Sequence, residues 1–264
     1  MSNPYLPPEI IDCIVDLLHD EPEALKRCCL VSKSWVPCTR KHLFAEILFH
    51  EEKHLELWKK TFPDTSTSPA RYTKTLFVDC SQAVMAADTE PGGWMRSFSH
   101  VVHLGLHSQA SFADAPFSLV PFHGLSPVLK SLRVTAPALP PSWIIDLSLS
   151  FPLLEDLGVN PGKYYGELDD NSDSFDGPLT VVQPSDPPMF TGSLELDLEG
   201  GMEPITRRLL SLPHGIHFRR LALTWSHEAD HLATTALVER CSHTLESLKI
   251  SDFTGTSLQY MCPH

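Results

Sequence analysis

The sequence predicts an α/β protein: a short unit of three helices, then an irregular solenoid of strand-plus-helix units. Three observations predict it. An apolar triplet recurs along most of the chain, the segments between triplets often carry helical periodicity, and the first 45 residues carry a different, purely helical pattern. With 264 residues, 42% of them hydrophobic, the chain is long enough to bury a sizeable core.

The N-terminal unit spans residues 1–45. In "LPPEIIDCIVDLL" the prolines suit a helix start, and Ile10, Ile14, Leu17 and Leu18 mark one apolar face. Asp20, followed by Pro22 and Glu23, is the expected N-cap of a second helix carrying Leu25, Cys28 and Cys29. "LVSKSW" interrupts that helix, and Pro37 opens a third running through Leu43 and Phe44. Three helices of this length are marginal for an independent core, so their remaining apolar residues call for a partner surface or for the rest of the chain.

The repeat occupies residues 46–264, its first triplet overlapping the last helix. An apolar residue followed by two more at offsets three and five fits at Phe44-Ile47-Phe49, Val101-Leu104-Leu106, Leu129-Leu132-Val134, Leu154-Leu157-Val159, Phe218-Leu221-Leu223 and Leu245-Leu248-Ile250. Thr73-Leu76-Val78 and Thr191-Leu194-Leu196 fit with Thr in first place. Successive first positions differ by 29, 28, 28, 25, 37, 27 and 27 residues. Each unit reads as a short strand with period-two apolar positions. Helical segments follow in "EEKHLELWKKTF", through Leu55, Trp58 and Phe62, and in "HEADHLATTALVERC", through Leu232, Ala236 and Cys241. Strand plus helix at this period is the leucine-rich-repeat pattern, whose units stack because none buries its apolar face alone. The Asn or Cys that normally follows the triplet is absent, with Gln109, Pro137, Gly162 and Phe253 in its place, so the solenoid is irregular. The long step predicts a loop insertion over 160–190, and the tail "SLQYMCPH" shows no unit to cover the last apolar face.

The N-terminal spacings resemble an F-box: Leu6-Pro7-x-Glu9-Ile10, Ile14 and Leu17, then Leu25-x-x-Cys28-x-x-Val31-Ser32-Lys33-x-Trp35, then Leu43-Phe44. The resemblance covers residues 5–49, and the repeats behind it are similar to the degenerate leucine-rich tails of fungal F-box families. Cys28 and Cys29 stand where Leu is frequent, and Pro37 shortens the last helix. The resemblance implies an intracellular adaptor, cytoplasmic or nuclear. Its F-box docks the small Skp-type adaptor of a cullin–RING ubiquitin ligase, and its solenoid holds a substrate protein. It implies an adaptor face of Leu6, Pro7, Glu9, Ile10, Ile14 and Leu17, with Leu30, Val31 and Trp35 adding to that face or packing the small core. The alternatives are a non-ubiquitin scaffold or a plain leucine-rich recognition protein, its three helices merely capping the first repeat.

Two strings, His50-Glu51-Glu52-Lys53-His54 and His227-Glu228-Ala229-Asp230-His231, fit His-Glu-x-x-His, a zinc hydrolase spacing. Their context argues against that chemistry. Glu52, Lys53 and Asp230 charge positions that should pack inward, and no third ligand follows at a usual distance. Asp169-x-Asn171-x-Asp173 imitates the start of a calcium loop, yet Ser174 and Thr180 replace its Gly and its bidentate Glu. Neither a nucleophile elbow nor a Gly-rich phosphate loop occurs, so a non-catalytic protein with no metal or cofactor is expected.

A net charge of −13 argues against wrapping nucleic acid. No apolar run of membrane-spanning length occurs, and Glu9, Asp12 and Asp16 interrupt the N-terminal stretch, so neither a membrane span nor a signal peptide is expected. Seven cysteines without a regular framework fit reduced thiols.

Side chains alternate along a strand, so the residues flanking the buried leucines share the opposite, concave face. From that face we select His103, His107, Arg133, Glu195, Asp197, Arg220 and Lys249 as candidate substrate-binding residues, a mixed-charge set suited to a polar peptide or protein surface.

Overall fold

A computed structural model describes residues 6–79, 93–107, 122, 125–135, 141–162, 190–198, 202–225, 229–252 and 257–261. The chain is α/β, with seven α-helices among the described residues and one nine-stranded sheet. The predicted loop insertion falls almost wholly outside the described residues, and residues 160–162 belong to a strand instead. The calcium-like stretch also lies outside them.

Helices α1 (Pro8–Leu17), α2 (Pro22–Val31) and α3 (Val36–Leu43) open the chain. Each has proline at its first or second position, where the missing N–H costs nothing and φ is already helical. The N-cap of α2 is Glu21 rather than the expected Asp20, and its side chain makes no cap hydrogen bond. Proline at the helix start sets the boundary without a capping side chain. The face of α1 also differs from expectation. Ile11 and Val15 are buried and Leu18 packs beside them, whereas Ile10 and Leu17 point to solvent. Apolar residues lie on both sides of this helix, and spacing alone does not rank the two faces.

The small core of this unit comprises Ile11, Val15 and Leu25, with Leu18, Trp35, Cys38 and Leu43 packed around it. Polar contacts tie the helices together. The Asp16 carboxylate accepts from His42 Nε2 at 2.7 Å, and buried Thr39 shares a 2.8 Å hydrogen bond with Cys29 Sγ.

Beyond α3 the chain turns into β1 (Glu46–Phe49) after only Phe44 and Ala45. Helix α4 (Glu52–Thr61) and a 3-10 turn (Pro69–Tyr72) lead to β2 (Thr75–Asp79). A second 3-10 turn (Trp94–Ser97) precedes β3 (His103–His107), which is followed by β4 (Ser131–Thr135), α5 (Pro141–Ser148) and β5 (Asp156–Gly162). Then come β6 (Ser193–Leu198), α6 (Met202–Leu210), β7 (Arg220–Trp225), α7 (Ala229–Cys241), β8 (Ser247–Asp252) and β9 (Ser257–Met261).

The strands lie side by side in chain order, β1 to β8 all parallel. The apolar triplets set the register, because Leu76, Leu104, Leu132 and Leu157 are successive partners, as are Leu194, Leu221 and Leu248. Leu248 is only partly buried, whereas Leu76 to Leu221 and their second-next neighbours, Val78 to Leu223, face the same side and are almost fully buried. Each contributes on the order of 1.5–3 kcal/mol by burial. Helices α4 to α7 supply the other wall of that core through Leu55, Ile145, Leu209 and Leu237.

One backbone device recurs along the sheet edge. The carbonyl just before a strand accepts from two successive N–H groups of the next unit: Ala45 from Lys74 and Thr75, Lys74 from Val102 and His103, Val102 from Lys130 and Ser131. Lys130, Gly192 and Arg219 do the same. Only the step from β5 to β6 differs. There Glu155 accepts from Gly192 alone, and Ser193 N–H donates instead to the Asp156 carboxylate at 2.7 Å.

Two expectations need correction. The tail forms β9, which runs antiparallel to β8 and covers its outer edge, so the last parallel strand is not left bare. In α7 the buried positions are Ala233, Leu237 and Cys241, whereas Leu232 is 77% exposed. Buried Thr234 extends the inner face and displaces the stripe by one residue from the leucine-based reading. Burial also pushes the Cys241 thiol above its ordinary pKa.

Candidate functional site

The open face of the sheet carries the polar residues that alternate with the buried leucines. Its central row runs, strand by strand, through Leu48, Phe77, Gly105, Arg133, Gly158, Glu195, Ala222 and Lys249. The row is apolar at the β1–β2 end, where Leu48 and Phe77 are exposed. Gly105 is needed beside them, because a Cβ there would lie 2.2 Å from Phe77 Cδ1 and the ring covers the space. From β4 onward the row alternates large and charged with small. Gly158 separates Arg133 from Glu195, and Ala222 separates Glu195 from Lys249.

The small residues leave a depression of about 430 Å³ over β4–β8. Arg133, Glu195, Arg220 and Lys249 line it together with Asp156 and the serines 131, 193 and 247. Asp197 belongs to an adjoining smaller hollow of about 130 Å³, shared with Asn160, which donates to the Asp197 carboxylate at 3.0 Å. His103 and His107 sit on β3, outside both. Thus four of the seven residues selected from the sequence meet in one depression.

Its charges are unequally matched. Arg133 lies 3.5 Å from Glu195, and Arg220 lies 3.6 Å from Asp156. These are loose contacts at the surface, with only Asp156 half-buried, and are worth at most about 1 kcal/mol each. Asp156 is occupied elsewhere: one of its oxygens accepts both the backbone N–H and the hydroxyl of Ser193. Lys249 has no hydrogen-bond or ion-pair partner among the described residues. The depression therefore offers an ammonium and an exposed guanidinium beside the nearly empty floor of Ala222. Asp156 directly precedes the buried Leu157 and so falls on the open face by alternation, but leucine spacing does not reveal its part in joining β5 to β6. The signal was the long step closing on a glycine, Gly192, just before the strand.

The N-terminal helices present the other candidate set. Leu17, Leu30 and Val31 are 83%, 86% and 66% exposed, and Leu6, Pro7, Glu9 and Ile10 are also at the surface. Ile14 is half-buried, and Trp35 packs against the small core.

The first His-Glu-x-x-His string does not form the arrangement its spacing suggests. Helix α4 begins at Glu52, so His50 precedes the helix and does not share a helical face with His54. Glu51 pairs with Lys53 at 2.6 Å, and that hydrogen bond holds its carboxyl below the usual range. Of the second string, His227 and Glu228 lie outside the described residues, while Asp230 is buried in the first turn of α7. No group of three His, Cys, Asp or Glu side chains among the described residues is placed to hold a metal ion. No helix among them is long and apolar enough to cross a membrane.

Compared with known proteins, the chain matches no family model, no curated protein and no solved structure.

Proposed function

We propose that the protein is a non-catalytic recognition adaptor. Residues 1–45 are an F-box that docks a Skp-type adaptor of a cullin–RING ubiquitin ligase, and residues 46–264 form an irregular leucine-rich solenoid whose open face binds a substrate protein. The observation that carries the reading is the division of apolar residues on the N-terminal helices. Ile11, Val15 and Leu25 form the small core with Leu18, Trp35, Cys38 and Leu43 around them, while Leu6, Ile10, Leu17 and Val31 remain exposed at the motif positions and Leu30 beside them. Four exposed large side chains on two short helices, with Leu6 just ahead of them, favour a docking surface over a solvated one. Support for the solenoid comes from strands in chain order, a parallel register that repeats leucine on leucine, and the recurring double-acceptor carbonyl.

The test is co-expression with a Skp-type adaptor, followed by size-exclusion chromatography. The wild-type chain co-elutes with the adaptor. A Pro7→Ala/Ile10→Asp variant elutes alone with an unchanged circular dichroism spectrum, since Ile10 lies outside the small core. Separate elution of a folded wild-type chain refutes the docking role. A co-eluting complex that fails to bind a cullin added to it points to a scaffold without ubiquitin transfer.

A further inference from the structure

We infer that the depression over β7 and β8 holds an acidic side chain of an extended partner segment, its anionic group lying above Ala222 between Lys249 and Arg220. This deepens the proposed substrate-binding role and rests on the same face of the sheet.

The shape of the row and the balance of charge around it point to an anion on the Lys249 side of Ala222. Ala222 fills little space, whereas its row neighbours Glu195 and Lys249 are long, so the row has a notch with a charged wall on either side. The Lys249 side chain has no hydrogen-bond or ion-pair partner among the described residues. Arg220 stands on the same strand as Ala222, two residues earlier and on the same face, and touches its carboxylate only at 3.6 Å. The same oxygen of that carboxylate, Asp156, accepts both hydrogen bonds from Ser193, so Arg220 pairs with it only at a distance and makes no hydrogen bond to it. The remaining carboxylate, Glu195, faces Arg133 across Gly158. Three cations thus meet two carboxylates, and the surplus lies at Ala222.

The charge of the whole chain sharpens the preference. With a net charge of −13, the protein repels an acidic segment over most of its surface, so an acidic group finds its favourable position only where the cations are concentrated. Strands about 4.8 Å apart make a segment crossing the sheet meet successive notches at about twice that interval. The Gly158 notch, bounded by Arg133 and Glu195, then receives a polar residue of the same segment.

The chemistry fixes an anion and leaves two sources, a carboxylate and a phosphorylated side chain, which the experiment separates. The full chain is titrated by fluorescence polarisation into four nine-residue peptide pools with random flanks and a central Glu, phosphoserine, Ala or Lys. Expected is roughly tenfold tighter binding of the Glu or the phosphoserine pool than of the Ala and Lys pools, weakening with added salt. The better of the two acidic pools names the source. Lys249→Glu and Arg220→Glu, both at exposed positions, shift the preference to the Lys pool, and Lys249→Gln removes the acidic preference without reversing it. Equal binding of all four pools, or an unchanged order in these variants, overturns the inference. Adaptor co-elution is read on the same preparations. Co-elution without acidic preference overturns this inference and leaves the proposed function standing; acidic preference without co-elution supports the site and removes the ligase.

Discussion

At Gly192 the backbone passes so close to the preceding unit that a Cβ would lie 2.7 Å from the Glu155 carbonyl oxygen and 2.6 Å from Asp156 Oδ1. Both neighbours are engaged, the carbonyl by Gly192 N–H and the carboxylate by Ser193, so neither moves freely. Gly192→Ala is expected to destabilise the protein by about 1–3 kcal/mol in urea unfolding. Gly158→Ala is expected to cost less than about 1 kcal/mol, because its nearest obstacle is the flexible side chain of Arg133 at 3.2 Å. Equal costs at the two sites would contradict the backbone contact as the cause. The contrast was not legible in the sequence, where Gly158 falls inside a predicted strand and Gly192 just before one, with no sign of which approaches backbone. The central row itself was legible, since leucine spacing fixes the register and the register fixes which residues alternate with the leucines. What spacing cannot give is the engagement of Asp156, which depends on how far the backbone at Gly192 approaches it.

Among the elements, strands were easier to read than helices. A strand exposes its pattern at every second residue, and eight parallel neighbours with similar triplets reinforce one another. Helix α7 misled because it carries apolar residues on opposite sides, Leu232 outward and Leu237 inward, with two threonines between them. Leu237→Ala is therefore expected to cost about 2–5 kcal/mol. Leu232→Lys should lie within about 0.5 kcal/mol of wild type. Thermal or urea melts of the two variants check the assignment, and a large cost at Leu232 would mean that the face is covered in solution. The same ambiguity applied to α1, where one stripe closes the core and the other stays exposed.

For the molecule as a whole, the aromatic seam at the start of the sheet joins the helical unit to the strands. Phe44, directly after α3, packs edge-on against Trp58 and Phe62, and Phe49 of β1 packs against Trp58, Trp94 and Phe98. Phe49→Ala is expected to destabilise by about 3–5 kcal/mol and to raise hydrogen exchange first in β1 and β2. Exchange rising equally across β7 and β8 would show that the sheet unfolds as one unit instead. With only two residues between α3 and β1, and rings closing both sides of that turn, there is no linker for the helical unit to swing on. The seam consequently acts as a ruler. The exposed face of α1 and α2 and the charged depression of β4–β8 keep one separation, so two partners bound there together meet at an effective concentration set by the fold, not by the statistics of a tether.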